Sequence, residues 1–389
     1  MADVAVFLSN PGHHVETLAP VVEYLAQRGV GSRVHSFCEL RGFRSPDSSF
    51  KTTHTEVVPA WPKRLKRSGR RSGSDSALGS GLRRTVIQEL AWRTILAPRL
   101  RRQLDPKSRL AVLPNDSAFP YDRVVSLLRE RRLPFVLVQE GIRFPLPAET
   151  SSWYGLGGAQ ALAVWGKSSA EHFRSLDIDP DRIHVTGSPR FDGRPASTWP
   201  VARRAREGAA AFLLITNPID VQGFCSPAEK TALVASFVSR LGDTLRQGRA
   251  TLTIRTHPGE SPDEYSSALT PADRGLVSFD TGNDLGSSLD ASDVAIVMAS
   301  TVGLEALRCG VPLAVLPTPG HGYVHDYVAR RAALGVSLDH TLEPQLIQHA
   351  SPADGYSAAV NAYLNLNLAD SDQATRAVGE LMIGLLDDE

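Results

Sequence analysis

Short runs of apolar residues alternate with longer stretches of helical spacing along most of the chain. Val4–Leu8 is such a run, and Val15–Gln27 follows it with apolar residues three and four positions apart until Gly29 ends the pattern. Runs that are apolar at every position predict strands buried on both faces, as in a parallel sheet covered by helices. Similar runs occur at Ala111–Leu113, Phe135–Val138, Ala161–Val164 and Ile183–Val185. The first half of the chain therefore predicts a doubly wound α/β domain.

A second series follows Phe191–Gly208, a stretch rich in Pro, Arg and Gly that predicts a linker because it has no apolar period. Strands are predicted at Ala211–Ile215, Leu252–Ile254, Val294–Met298 and Leu313–Leu316, and helices at Pro227–Leu245, Thr301–Cys309 and Ser371–Leu386. We expect two Rossmann-like α/β domains, residues 1–195 and 205–368, with a helix in residues 369–389 packing back on the first. Ligands are expected at the carboxyl ends of the strands, in a cleft between the domains.

Composition narrows the class of protein. The chain has 389 residues, 42% of them apolar and 22% charged, which is typical of a globular protein. A net charge of zero argues against a nucleic-acid binder. The N-terminus lacks the basic start and long apolar run of a secretion signal, which predicts a cytoplasmic protein. Three cysteines at unrelated spacings fit neither a disulfide framework nor a zinc knuckle, and we expect no metal site.

Positive charge is concentrated in one part of the sequence. Residues 61–110 contain 14 Lys and Arg against three acidic residues. A block of this kind predicts either a docking surface for an anionic partner or an ordinary solvated surface. The sequence leaves both interpretations open.

Two hydroxyl residues, Ser300 and Thr301, stand where a predicted strand passes into a helix. Backbone N–H groups at a helix start, with hydroxyls beside them, suit a diphosphate. Glu305 lies one turn further along the helix, within reach of a ribose diol. Gly303 removes a side chain where a ligand would need close approach. The alternative is a capping box, in which Ser or Thr caps the helix and Glu returns the bond.

Cationic side chains end another predicted strand. Arg255 and His257 precede Pro258, which turns the chain away from the sheet, and they could neutralise phosphate charge. The alternative for His257 is a histidine whose bonds are satisfied at the strand end. A Gly187-Ser188 turn, followed by Arg190, closes the first domain and could cradle phosphate in the same way.

Two loops could supply a general base. His13 and His14 follow the first strand, and an imidazole can accept a proton near neutral pH. Glu140 follows the strand Phe135–Val138, beside a glycine that permits a tight turn. Structural alternatives are a bond from His14 to the backbone and a pairing of Glu140 with Arg143. The sequence does not choose among these residues.

Several of these motifs together resemble the GT-B class of nucleotide-sugar enzymes. Asp181–Asp192 is similar to the interdomain segment of non-hydrolysing UDP-N-acetylglucosamine 2-epimerases and CDP-glycerol glycerophosphotransferases. Ser300–Pro312 resembles the donor-binding helix of that superfamily. Glu140-Gly141, His257-Pro258 and Ser300-Thr301 are similar to motifs of bacterial sialyl- and polysialyltransferases. Pro11–His14 resembles the Gly-His start of natural-product glycosyltransferases, whose histidine is the base.

The resemblance implies a glycosyltransferase that moves a sugar from a nucleotide-sugar, with a UDP-sugar as the favoured donor. The acceptor would attack the sugar directly, with inversion, and neither a metal nor a cofactor would take part. Catalysis would fall to Glu140, His13 or His14. The basic block in residues 61–110 adds the hypothesis that the acceptor is attached to an acidic carrier protein, a phospholipid or a polyanionic glycan that docks at Lys66, Arg67, Arg70 and Arg71. Donor contacts would come from Arg255, His257, Ser300, Thr301, Gly303, Glu305, Gly187, Ser188 and Arg190.

Two other functions stay open. A UDP-sugar 2-epimerase would use the same donor pocket, although the Gly-Thr-Arg-Pro-Glu start of that family is replaced here by Ser9–His13. A non-catalytic nucleotide-binding or partner-binding protein would use the basic block. The glycerophosphotransferase family carries His where this chain has Glu140. The sequence does not identify the base, the sugar or the acceptor, nor does it decide between monomer and homodimer.

Overall fold

The computed structural model describes residues 2–41, 43–50, 52, 54–61, 86–142, 154–193, 199, 208–282, 284–351, 355–369 and 372–388. Contacts divide the described chain into two compact units. The first unit comprises residues 2–142, 154–193 and 367–388, and the second comprises residue 199 and residues 208–366. Most of the predicted linker, Arg143 and the predicted docking residues Lys66, Arg67, Arg70 and Arg71 lie outside the described residues.

A parallel sheet of seven strands forms the centre of the described first unit, in the order β3-β2-β1-β4-β5-β6-β7. The order reverses between β1 and β4, so the loops after these two strands diverge to opposite faces of the sheet. In sequence order the strands are β1 (Val4–Leu8), β2 (Ser32–Ser36), β3 (Thr55–Pro59), β4 (Leu110–Leu113), β5 (Phe135–Val138), β6 (Ala161–Val164) and β7 (Ile183–Val185).

Helices cover both faces of this sheet. Residues alternate along β1, with Ala5 and Phe7 in the core on one face and Val4, Val6 and Leu8 in the core on the other. Residues 86–91 are helical and continue through a π-helical turn, Trp92–Leu96, into α2. The helices are α1 (His13–Gln27), α2 (Ala97–Gln103), α3 (Tyr121–Glu130) and α4 (Lys167–Arg174), with short 3-10 turns at Cys38–Arg41, Asp47–Ser49, Pro180–Arg182 and Pro189–Phe191.

The second unit repeats the plan around six parallel strands in the order β10-β9-β8-β11-β12-β13, reversing between β8 and β11. The strands are β8 (Ala210–Ile215), β9 (Ala250–Arg255), β10 (Val277–Asp280), β11 (Val294–Val297), β12 (Leu313–Val315) and β13 (Leu334–Gly335). The described helices are α5 (Pro227–Arg246), α6 (Pro262–Ala268), α7 (Pro271–Arg274), α8 (Leu285–Asp290), α9 (Val302–Arg308), α10 (Leu342–His349) and α11 (Tyr356–Asn367). The predicted fold class, two doubly wound parallel α/β domains, is confirmed.

The last helix, α12 (Ala374–Asp387), returns to the first unit and packs on α1. The Asp192 carboxylate accepts hydrogen bonds from the backbone N–H groups of Ala374 at 3.1 Å and Thr375 at 2.6 Å, which caps the start of the helix. The two helices approach closely at Gly379, where a Cβ atom would lie 2.3 Å from the Tyr24 ring. Helix α12 therefore completes one face of the first core.

Strand β2 is not predicted by the sequence because Ser-Arg-Val-His-Ser contains one aliphatic residue. His35 is nevertheless fully buried in it, stacked 4.9 Å from the Phe7 ring. Within the described residues, neither ring nitrogen of His35 has a hydrogen-bond partner. Burial, with a smaller contribution from the Arg33 charge, lowers the pKa of His35 to about 3. The imidazole is therefore held neutral inside the fold.

This histidine should make the fold sensitive to acid. Between a pKa of about 3 in the folded protein and about 6.5 in the unfolded chain, the unfolded chain binds a proton that the folded one does not. The free energy of unfolding should therefore fall as the pH drops below about 6.5, by up to about 1.4 kcal/mol per pH unit. In urea unfolding across this pH range, the free energy of unfolding of His35→Leu should fall less steeply with decreasing pH than that of wild type. The control His54→Gln, at an exposed histidine, should show the wild-type slope. Equal slopes for wild type and His35→Leu would contradict the assignment.

Within the described residues, no helix combines the length and the apolar character needed to cross a membrane.

Candidate active site

Three loops at the carboxyl edge of the first sheet carry one polar cluster. The loop after β1 leads into His13 and His14 at the start of α1, the loop after β4 holds Asn115, and β5 is followed by Glu140. Strands β1, β4 and β5 are neighbours in the sheet, so their carboxyl ends lie side by side. The sequence singled out His13, His14 and Glu140 on separate segments, and the structure brings them together at the point where the strand order reverses.

The Glu140 carboxylate is the centre of this cluster. Its Oε2 lies 2.8 Å from His14 Nε2 and 3.8 Å from His13 Nε2, and its Oε1 accepts a hydrogen bond from Asn115 Nδ2 at 2.7 Å. Burial opposes ionisation, but the neighbouring His13 and His14 imidazoles outweigh it and hold the pKa of Glu140 well below its ordinary value. Glu140 is therefore ionised at neutral pH, and a carboxylate with so low a pKa is a weak base.

The backbone sets the tautomer of His14. The Ser9 N–H donates to His14 Nδ1 at 3.1 Å, and the Tyr121 hydroxyl lies 3.3 Å from the same nitrogen. With the Nδ1 lone pair engaged, the ring proton sits on Nε2 and is donated to Glu140. The His14 side chain is only 3% exposed, whereas that of His13 is 37% exposed. His14 thus supports the carboxylate, and His13 presents its ring to solvent.

The same three residues could be considered as metal ligands. Their ligand atoms all lie within 4.8 Å of one another, and two imidazoles with one carboxylate are a familiar zinc set. A metal on His14 Nε2 would, however, require the proton to move to Nδ1, where the Ser9 N–H already donates. The arrangement suits proton transfer better than metal binding, and the expected absence of a metal stays a prediction.

Two neighbours of Glu140 were missed by the sequence analysis. Asn115 accepts hydrogen bonds from the backbone N–H groups of Ser117 and Ala118 at 2.9 and 2.8 Å, which aims its amide at Glu140. Gln139 accepts from the Trp165 backbone N–H at 2.8 Å and fixes the turn after β5. A polar Asn-Asp pair one residue after the buried strand β4 was the available signal for Asn115.

The Gly-Ser turn after β7 belongs to the first unit. Gly187 has a φ of +81°, a conformation that glycine adopts without strain. The Ser188 hydroxyl is buried and has no hydrogen-bond partner in the part of the chain that the structure describes. The Arg190 guanidinium lies 4.8 Å from the centre of the Phe191 ring and 5.7 Å from that of Trp165. Donor contacts from Gly187, Ser188 and Arg190 stay predictions.

In the second unit, the buried Glu260 carboxylate contacts the backbone of the His257 loop. The His257 backbone N–H lies 3.3 Å from Glu260 Oε2 and 3.2 Å from the Thr216 hydroxyl, which itself donates to Glu260 at 2.6 Å. The Gly259 N–H donates to His257 Nδ1 at 3.0 Å, so the neutral ring carries its proton on Nε2. The loop thus fixes both the position and the tautomer of His257.

Glu260 is matched by buried cationic and hydroxyl donors. Lys230 Nζ lies 2.9 Å from Glu260 Oε1 and 2.9 Å from the Asp220 carboxylate, and the Tyr265 hydroxyl donates to Glu260 at 2.8 Å. Burial alone would lower the pKa of Lys230, but its hydrogen bonds to Asp220 and Glu260 raise it above the ordinary value. This ion-pair cluster joins α5, α6 and the ends of β8 and β9, and the sequence analysis did not identify it.

Arg255, predicted to contact donor phosphate, is bonded to its own sheet. Its guanidinium donates to the Asp280 carboxylate on β10, to the Ser288 hydroxyl at 2.9 Å and to the Gly282 carbonyl at 2.7 Å. These bonds give Arg255 a structural role, and its contact with phosphate stays a prediction.

In the segment after β11, the structure contradicts one prediction, which concerns Gly303. A Cβ atom at Gly303 would lie 2.8 Å from the Tyr327 ring and 2.9 Å from Leu313. This corrects the explanation of Gly303 as space for a ligand, because the space is taken by core side chains.

The ends of β8 and β11 meet beside this segment. The Ser300 hydroxyl accepts from the Val302 N–H at 3.2 Å, and no side-chain cap bond from Thr301 is found in the described chain. Asn217, after β8, donates to the Ala299 carbonyl at 2.7 Å, and its buried amide oxygen has no hydrogen-bond partner among the described residues. The strand order of the second sheet reverses between β8 and β11, so an acceptor atom without a donor lies where α/β sheets bind ligands.

No protein-family model and no curated protein matches the chain. Solved structures do resemble it. The UDP-GlcNAc 2-epimerase of Neisseria meningitidis, bound to UDP-GlcNAc, has a TM-score of 0.58 at 12% identity and covers 100% of both chains. The wall teichoic acid polymerase TagF has a TM-score of 0.58 at 13% identity, covering 100% of this chain and 89% of its own. The glycotransferase of kitacinnamycin has a TM-score of 0.56 at 14% identity, over 99% of each chain.

The fold is GT-B. GT-B proteins with different activities share this architecture, so fold alone does not assign a reaction. At identities of 12–14%, the similarity does not indicate which reaction this chain catalyses, and the evidence for its chemistry lies in its own side chains.

Proposed function

We propose that the protein is a nucleotide-sugar-dependent glycosyltransferase that acts by direct displacement. The observation that carries the proposal is the partly buried Glu140 carboxylate, which lies 2.8 Å from His14 Nε2 and faces the partly exposed His13 ring. A carboxylate beside a partly exposed imidazole is an arrangement for accepting a proton from a nucleophile.

His13 is the proposed base. Its Nε2 is the nitrogen that faces Glu140, so an Nε2–H donated to the carboxylate leaves the lone pair on Nδ1. The separation of 3.8 Å is longer than a hydrogen bond, as catalytic contacts often are before substrate binds. The acceptor hydroxyl or amine gives its proton to His13 as it attacks the sugar carbon. The bond from that carbon to the phosphate oxygen breaks, and the nucleotide leaves with the electron pair.

The donor is proposed to bind the second unit. A diphosphate there would meet the Nε2–H of His257 and the hydroxyls of Ser300 and Thr301, and the ribose would meet Glu305. The partnerless amide oxygen of Asn217 supports this location, because a ligand N–H or hydroxyl would satisfy it. A UDP-sugar is the first choice of donor.

Calorimetry with UDP, CMP, CDP, GDP and TDP tests the donor site. One nucleotide should bind, and Glu305→Ala should weaken it by roughly 1.5–3 kcal/mol through loss of a charged hydrogen bond. Glu380→Ala, an exposed glutamate of the first unit, is the matched control. If Glu305→Ala left the nucleotide affinity unchanged, the proposed contact between Glu305 and the ribose would be wrong. If none of the five nucleotides bound, the proposed function would be overturned.

A UDP-sugar 2-epimerase is the second candidate. It is favoured by the likeness to the Neisseria meningitidis structure that holds UDP-GlcNAc. Incubation with UDP-sugars alone separates the two reactions. An epimerase forms a new sugar without an acceptor, whereas a transferase requires one for turnover.

A further inference from the structure

An apolar patch lies exposed on the helical segment 86–103 of the first unit. Val86, Ile87 and Leu90 are 59%, 58% and 62% exposed, and one helical turn brings them onto the same face. They are three of the eight large apolar side chains that are exposed in the described chain. Surface apolar residues are normally scattered singly, so a group of three within five positions indicates a binding surface.

The segment cannot turn this face inward. It is anchored through Leu96 and Leu100, which are buried in the first core, and through Trp92, which packs against that core. The π-helical turn Trp92–Leu96 lies between the exposed half and the buried half. The patch is therefore a fixed feature of the first unit.

Exposed arginines lie on the same helical segment as the apolar patch. The Arg93 side chain is 76% exposed on the next turn, and Arg101 and Arg102 are exposed further along. The acid of this face, Glu89, is paired with both Arg93 and Arg123, whose charges and bonds lower its pKa despite its partial burial. Residues 86–103 contain four arginines and one acid, so this segment carries net positive charge, although Arg101 is paired with Glu130 of α3.

We propose that this face, Val86, Ile87 and Leu90 with Arg93 and Arg102, docks on an anionic lipid bilayer. Aliphatic side chains beside arginines on one helix suit the boundary between headgroups and acyl chains. A polyanionic glycan would use the arginines but has no site for the aliphatic side chains. The apolar patch is the observation that favours a lipid surface over the other anionic partners. The proposal is independent of the proposed function.

Flotation with vesicles tests the proposal without an activity assay. Wild type should float with phosphatidylcholine vesicles that contain about one-third phosphatidylserine, and much less with phosphatidylcholine alone. High salt should release it, because the screening length falls from ~10 Å at 0.1 M to ~3 Å at 1 M. Ile87→Ser with Leu90→Ser should weaken binding at least about tenfold by removing the inserted apolar surface. Val221→Ser, an aliphatic residue 64% exposed in the second unit, is the matched control and should bind as wild type.

Charge reversal supplies the second arm. Arg93→Glu with Arg102→Glu should weaken binding to the anionic vesicles only. The proposal would be overturned if wild type bound neither kind of vesicle. It would also be overturned if the double serine variant bound as tightly as wild type. A double serine variant with unchanged lipid binding and a lower melting temperature would show that the patch is covered within the protein. Binding to heparin or polyglutamate but not to vesicles would assign the surface to a soluble polyanion instead.

Discussion

Replacing His13 by Asn is expected to lower turnover by on the order of a hundredfold or more, since a positioned general base contributes that much. Nucleotide affinity should be unchanged, because His13 belongs to the first unit and the proposed donor site to the second. Glu140→Gln should lower turnover as well, because it removes the carboxylate that orients His13 and would stabilise its protonated form. Single-turnover rates across pH, with affinity measured separately by calorimetry, check both expectations.

His54→Asn is the matched control, since His54 is an exposed histidine of the same unit. His13→Asn at normal rate together with a slow Glu140→Gln would move the base to Glu140. His14→Asn should reduce turnover less than His13→Asn, because the buried His14 acts through the carboxylate. Normal rates for all three variants would remove this cluster from catalysis.

Replacing Glu260 by Gln should lower the free energy of unfolding by about 3 kcal/mol, near the lower end for breaking a buried ion pair, because Lys230 retains Asp220 as a partner. Under the proposed function it should also reduce turnover more than nucleotide affinity, since the loop that positions His257 loses its support. His257→Ala should show the same split, because the charge that it meets grows as the nucleotide leaves.

Urea unfolding and steady-state kinetics measure these effects, and Glu264→Gln is the control. Glu264 lies 3.7 Å from the same lysine, but its side chain is 45% exposed, so its loss should cost less than about 1 kcal/mol. Lys230→Met combined with Glu260→Gln should be less destabilising than the sum of the two changes, because contacting charges are coupled. Additive effects would show that Glu260 is held by other contacts. NMR of the His257 ring nitrogens should report loss of the single tautomer in Glu260→Gln even without turnover.

The two sheets were predictable because their central strands are apolar at every position. Strand β2 escaped prediction, since its buried Ser32, His35 and Ser36 are polar. The burial of β2 depends on its tertiary neighbours rather than on its own composition. It is buried because β1, β3 and the flanking segments cover it.

The site was predicted as separate residues rather than as a cluster. His13, His14 and Glu140 each follow a strand, which the sequence shows, but their meeting depends on which strands are neighbours. Glu260 was overlooked because a buried carboxylate is recognisable only once Lys230, Thr216 and Tyr265 are seen around it. Gly303 was misread because its neighbours Tyr327 and Leu313 are distant from it in sequence.

The route of α12 back to α1 affects how the protein is made. Asp192 caps a helix that begins 182 positions later in sequence, with the whole second unit synthesised in between. Until then the nascent chain exposes the apolar stripe of α1, including Leu18 and Val22, that shares a core with Val378 and Met382. The first unit is therefore expected to need protection by chaperones during translation, and to aggregate when produced as a fragment that ends near residue 195.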